Sequence, residues 1–185
     1  MLTDLKKWLK AEQQDKDIFD IILYGSAVKG KENPRDIDIV ILFRKGTLKE
    51  RLEKIQTIKK KIQLEQKVDI KGVLWEELFQ AEFFARSGIY IEGISIFDGK
   101  PFAQKIGFIG FALFVYSLQD KSHTEKVKFN YVLGGRGMEG MIASVEGQRI
   151  APGVILIPIK HSAEFEAVLQ RHHIQYSKKQ VLVEQ

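Results

Sequence analysis

The stretch from Gly25 to Val40, GSAVKGKENPRDIDIV, holds the side chains best suited to chemistry. Asp36 and Asp38 stand two apart in a run with strand character. Residues i and i+2 of a strand point to one face, so the two carboxylates lie side by side while Ile37 and Ile39 turn to the core. Adjacent carboxylates repel unless a cation joins them. A hard divalent ion such as Mg²⁺ suits them, because it takes oxygen ligands and keeps room for phosphate oxygens and water. Ten residues before Asp36, a buried run ends in Gly25-Ser26 and a short helical turn begins. Backbone N–H groups there, with a small hydroxyl, make a phosphate cradle. A phosphate cradle facing a carboxylate pair is the arrangement that metal-assisted phosphoryl or nucleotidyl transfer needs.

These residues need elements to hold them. Residues 3–14 read as a helix with Leu5, Trp8 and Leu9 on one face. Ile18–Tyr24 is a compact apolar run and a buried strand. Residues 26–31 form a helical turn broken at Asn33-Pro34. Asp36–Phe43 begins with strict alternation and becomes fully apolar, as a central strand does. Residues 47–64 form a long helix with Leu48, Leu52, Ile55, Ile58 and Ile62 as its apolar stripe. Lys67–Leu74 is a third strand. Residues 75–86 are expected as a helix with Leu78, Phe79, Ala81, Phe83 and Phe84 partly buried, ended by Ser87-Gly88. Residues 94–97 form a short strand before a turn at 98–101. The order is that of an α/β (α+β) unit, and the turn divides the chain into 1–100 and 101–185.

The second part is expected to be a smaller α+β domain. Residues 106–118 are apolar all round and fit helix or strand equally. Residues 127–133, 141–145, 154–159 and 181–183 read as strands, residues 134–140 as a glycine-rich turn, and Ser162 as the cap of a helix to about His172.

Composition narrows the classes. With 44% hydrophobic and 29% charged residues in 185, the chain is not wholly disordered. It has no cysteine, which excludes disulfides, thiolate zinc sites and a cysteine nucleophile. The charge of +5 is spread, with 19 basic against 17 acidic residues in the first hundred and 10 against 7 in the rest. That balance permits a nucleic-acid partner without demanding one. No apolar run reaches the roughly 20 residues of a membrane span, so no membrane partner and a cytoplasmic setting are expected.

The Gly25–Val40 stretch resembles the signature of the DNA polymerase β-like nucleotidyltransferase superfamily: Gly-Ser, a spacer, then Asp-x-Asp on a strand with apolar neighbours. Leu23-Tyr24-Gly25-Ser26 and Asp36-Ile37-Asp38-Ile39-Val40 look most like the small prokaryotic, or minimal, members, and the resemblance covers residues 18–98. It implies a mixed sheet flanked by helices, with an NTP as donor. It also implies that Gly25 and Ser26 contact the triphosphate and that Asp36 and Asp38 bind two Mg²⁺. The third carboxylate of the family falls on Asp69, on the third strand, which completes the metal site and helps deprotonate the acceptor hydroxyl. Lys29 stands where small members usually carry Arg, and supplies charge without a bidentate fork. Arg35 stands where a small polar residue is usual, and either contacts phosphate or faces solvent.

The expected activity is transfer of an NMP from an NTP to an acceptor hydroxyl, with release of pyrophosphate. Asp36, Asp38 and Asp69 are the expected catalytic and metal residues, and Gly25, Ser26, Lys29 and Arg35 the nucleotide-binding ones. The acceptor is RNA, a protein or a small molecule, positioned by residues 101–185. The rival reading is a non-catalytic module on the same fold, an antitoxin or regulator that binds nucleotide or a partner.

Overall fold

The chain opens with α1 (Leu2–Leu9), which continues as a 3-10 turn over Lys10–Gln14. The long strands then form where the apolar runs lie: β1 (Ile18–Tyr24) and β2 (Asp36–Phe43), joined by α2 (Leu48–Lys61) to β3 (Lys67–Leu74). This is a computed structural model that describes residues 2–28 and 34–185. After β3 come α3 (Arg86–Glu92), β4 (Ile94–Ser95) and α4 (Phe102–Lys105). The sheet order is β3-β2-β1-β4. β2 and β3 are parallel, so they need a crossover, which α2 supplies. β1 runs antiparallel to β2 and β4.

Both faces of this sheet are covered, which is why β2 is nearly all apolar. Ile37, Ile39, Ile41 and Phe43 pack with Leu5 and Leu9 of α1 and Ile55 and Ile58 of α2. Val40 and Leu42 turn to the other face, with Ile22, Tyr24, Val73, Ala85, Ile89 and Phe102. A capping box starts α2: Glu50 N–H donates to Thr47 Oγ1 at 3.3 Å, and Thr47 N–H donates to Glu50 Oε2 at 2.7 Å. Such a cap contributes about 1 kcal/mol.

Two helical expectations are corrected. The stripe of α2 is Arg51, Ile55 and Ile58 with Ile62 beyond, whereas Leu48 and Leu52 are exposed. Arg51 takes the buried place because Glu77 meets it with both carboxylate oxygens, at 2.7 and 3.3 Å. Residues 75–86 are not one helix. Glu77 also accepts from Leu74 N–H at 2.7 Å, which pins Glu76–Phe79 as a single 3-10 turn. The helix comes later, as α3, and runs through Ser87-Gly88. There Ala85 and Ile89 gain a buried face that outweighs the cost of Gly88.

A buried polar cluster ties β1 to β4 and α4. Asp20 is fully buried. It accepts from Ser95 Oγ at 2.8 Å and from Lys105 Nζ at 2.6 Å, and Lys105 also reaches Asp98 at 3.1 Å. Burial lifts the Asp20 carboxyl above its ordinary range despite these donors. Burial works against the Lys105 ammonium as well, but Asp20 and Asp98 outweigh it and raise its pKa. The two shifts conflict in sense because Lys105 keeps a quarter of its side chain in water and Asp20 keeps none, so desolvation falls mainly on the carboxylate.

Residues up to Gly107 form one compact unit and Phe108–Gln185 a second. The second contains β5 (Phe108–Ser117), α5 (His123–Gly134), α6 (Met141–Ser144), β6 (Gln148–Ala151), β7 (Val154–Pro158), α7 (Ser162–Arg171) and β8 (Gln175–Glu184). Its sheet order is β6-β7-β5-β8, antiparallel throughout. One face packs Ala112, Phe114, Ile155 and Ile157 against Phe129 and Leu133 of α5 and Phe165 and Leu169 of α7. The expected strand at residues 127–133 is instead α5. Ser122 and Glu125 form its capping box, and Phe129 and Leu133 share one face of it. Residues 141–145, also expected as a strand, are a helical turn, α6, leading into buried Val145. Among the described residues no helix is long and apolar enough to cross a membrane.

Candidate active site

The candidate site occupies one end of the mixed sheet, on the face that α3 and α4 cover further along. Tyr24, the last residue of β1, pairs with Asp38, and Asp38 pairs with Asp69 on β3. Partners in register share a face, and Asp36, two residues before Asp38, shares it too. Three carboxylates therefore stand on neighbouring positions of two strands. Asp36 and Asp69 are exposed and Asp38 is half-buried.

Their charges act on one another. The Asp38 carboxyl is held above its ordinary range, first by burial and then by the charge of Asp69, with a smaller push from Asp36; Lys71 pulls the other way. The Tyr24 phenol is pushed up to about 12 by burial and by the charges of Asp38 and Asp69. Negative charge is thus collected here faster than it is offset, which is the electrostatic condition a bound cation relieves.

Gly25 follows Tyr24 at φ +76° and opens the 3-10 turn Gly25–Val28. A Cβ at this position would lie 2.4 Å from Asp38 Oδ2. Only glycine lets the backbone take this conformation and approach the carboxylate so closely. Ser26 is half-buried in the same turn, which abuts β2 and α3. Arg35 is exposed, immediately before β2. Lys29 lies outside the described residues.

An all-carboxylate donor set suits Mg²⁺ better than a softer metal. Among the described residues, no three His, Asp or Glu side chains are gathered closely enough to hold a metal ion. Asp36, Asp38 and Asp69 suit a divalent cation in chemistry, charge and strand register, but their carboxylates are not gathered into one ligand set.

Three neighbours of the site went unread in the sequence. Tyr24 was visible only as a strand end. Lys71 shares the face of Asp69, a relation that alternation along β3 contains. Phe84, expected as partly buried, is 79% exposed, and its ring centroid lies 4.5 Å from Lys71 Nζ. Its exposure follows from the turn and loop that replace the expected helix, and no sequence signal announced it.

Residues 5–98 match the family described as polymerase beta, nucleotidyltransferase, which is just over half of the chain. The chain belongs to this family. The matched span contains β1, β2 and β3, the turn at Gly25 and all three carboxylates. A comparison with curated proteins finds no match.

Proposed function

We propose that the protein is a Mg²⁺-dependent nucleotidyltransferase that moves an NMP from an NTP to an acceptor hydroxyl and releases pyrophosphate. The observation that carries this reading is the register that sets Asp38 beside Asp69, with the Gly25 backbone against Asp38. Asp36, Asp38 and Asp69 are the residues that would hold Mg²⁺. Bound there, the metal offsets charge on phosphate oxygens and makes an acceptor hydroxyl more acidic. The chain's own groups do the rest. Backbone N–H groups at Gly25 and Ser26 hold the distal phosphates, as turn and helix starts do. Arg35, exposed just before β2, adds positive charge, and Lys29 is the further residue proposed to contact the nucleotide. Asp69, exposed on the edge strand, accepts the proton of the acceptor hydroxyl. Asp38, packed against Gly25, fixes the distance between the phosphate cradle and the carboxylates. The acceptor is RNA, a protein or a small molecule.

The test incubates the protein with Mg²⁺, α-³²P-labelled nucleotides and a cell extract, beside the Asp69→Asn variant, and then separates RNA, protein and small molecules. Label in one fraction, lost with the variant, establishes the transferase. Asp69→Asn is expected to abolish transfer and spare nucleotide binding, so a fully active variant removes Asp69 from the mechanism. Asp36→Asn is expected to weaken Mg²⁺-dependent nucleotide binding by calorimetry, and an unchanged affinity counts against its place in the metal site.

A further inference from the structure

The acceptor side of the site carries its own structure. β3 is an edge strand of the sheet. Lys67, Asp69 and Lys71 alternate along it, so two ammonium groups flank Asp69 on the face of the site. Among the described residues neither lysine forms an ion pair; Lys67 is exposed and Lys71 acts on Asp38 only through its field, so both can turn to a ligand. Next to Lys71 stands Phe84, with Lys71 Nζ 4.5 Å from its ring centroid. The ring's nearest aromatic neighbour is Phe83, tilted at 6.5 Å between centroids. A phenyl ring left 79% in water beside a charged strip gives up the burial that usually stabilises it.

Position across the sheet says which substrate meets this ring. The Gly25-Ser26 turn follows β1, Asp36 and Asp38 lie on β2, and Asp69 and Lys71 lie on outer β3. The phosphate cradle and the ring are therefore on opposite sides of the carboxylates. The ring stands on the side of Asp69, where an acceptor hydroxyl must come. We propose that Lys67, Lys71 and Phe84 dock the acceptor, and that the acceptor they fit is the end of a single-stranded nucleic acid. An aromatic face stacks a base, and flanking ammonium groups take the backbone phosphates. Lys67 and Lys71 stand four residues apart on the strand, about 13 Å, a span that a chain of phosphates covers and a small molecule does not, and a protein hydroxyl needs neither the ring nor the charges. This inference rests on the transferase reading of the carboxylates.

The experiment measures binding of a fluorescein-labelled single-stranded oligoribonucleotide to the full chain by anisotropy. Its deoxy counterpart, a duplex of equal length and a tyrosine-containing acidic peptide run beside it. Phe84→Ala is expected to weaken single-strand binding by roughly 10-fold and Phe84→Trp to retain it, because stacking needs a flat ring. Lys71→Ala is expected to lower the salt dependence by about one phosphate contact. Phe84 is exposed, so an unchanged melting temperature certifies that Phe84→Ala is folded. Equal affinity of Phe84→Ala and the wild type overturns the proposal, as does a preference for the duplex, a lack of oligonucleotide binding, or Phe84-dependent binding of the peptide alone. Calorimetry of Mg²⁺-NTP on the same wild-type protein separates the two ideas. If nucleotide binds and Phe84→Ala leaves the single strand unaffected, the docking proposal fails alone. If the single strand binds through Phe84 and no nucleotide binds, the transferase reading fails.

Discussion

Gly25→Ala tests whether the close approach of backbone to carboxylate matters. The substitution has two costs. Alanine at φ +76° enters the left-handed region, which destabilises by about 1–2 kcal/mol. The added Cβ also falls 2.4 Å from Asp38 Oδ2, where ordinary contact begins at 3.4 Å, so something must give by about 1 Å. The backbone of Gly25 is fixed by β1 behind it and the turn ahead, so the Asp38 carboxylate is the part that moves. Tyr24 and Asp69 sit beside it, so the movement disturbs the whole constellation. A misplacement of about 1 Å near reacting atoms costs on the order of 100-fold in rate. The strain alone lowers the melting temperature by roughly 4–9 °C for a unit of this size. Urea titration reads the first effect, and single-turnover transfer with saturating nucleotide reads the second. A variant that loses stability as expected but transfers at the wild-type rate would refute the claim that Gly25 sets the position of Asp38.

Gly88→Ala is the matching control. Gly88 lies within α3 and its Cβ would meet nothing within 4 Å, so the change is expected to stabilise the first unit by about 0.5–1 kcal/mol in urea titration. A loss of stability would mean that α3 needs the glycine. Lys105→Met leaves Asp20 buried without its cation and is expected to cost about 3–5 kcal/mol near neutral pH. Because the folded pKa of Asp20 already lies above its unfolded value, and rises further without Lys105, the folded state takes up a proton as pH falls. The deficit should therefore shrink on acidification, and chemical melts at neutral and mildly acidic pH would expose a penalty that does not change.

β1 and β2 were legible as apolar runs between turn signals, and β3 as a strand of alternating polar and apolar residues. Parity along β2 placed Asp36 and Asp38 on one face, and the family resemblance set Asp69 with them. What sequence could not supply was the register that sets Asp38 opposite Asp69, since that depends on how α2 returns the chain. The segment after β3 was misread because its aromatic residues suggest burial without periodicity, while the Glu77–Arg51 pair that shapes it joins residues far apart in sequence. In the second unit, VKFNYVL alternates like a strand, yet the Ser122–Glu125 box and the i, i+4 pair Phe129 and Leu133 favour a helix. Those local signals were present, and alternation hid them. The undecided run at 106–118 became β5 because β7 and β8 pair on both of its sides.

That pairing governs the order in which the protein can be made. β5 and β8 are joined from Phe108 opposite Glu184 to Ser117 opposite Gln175, so the first strand of the second unit waits for its last. During synthesis the first unit can close as soon as α4 has emerged. β5 must remain with one edge open until everything to β8 has followed, and such long-range pairing is slow. The vulnerable interval therefore belongs to the nascent second unit, whose apolar β5 edge is the surface a chaperone would shield. A chain ended before Gln175 would make that interval permanent.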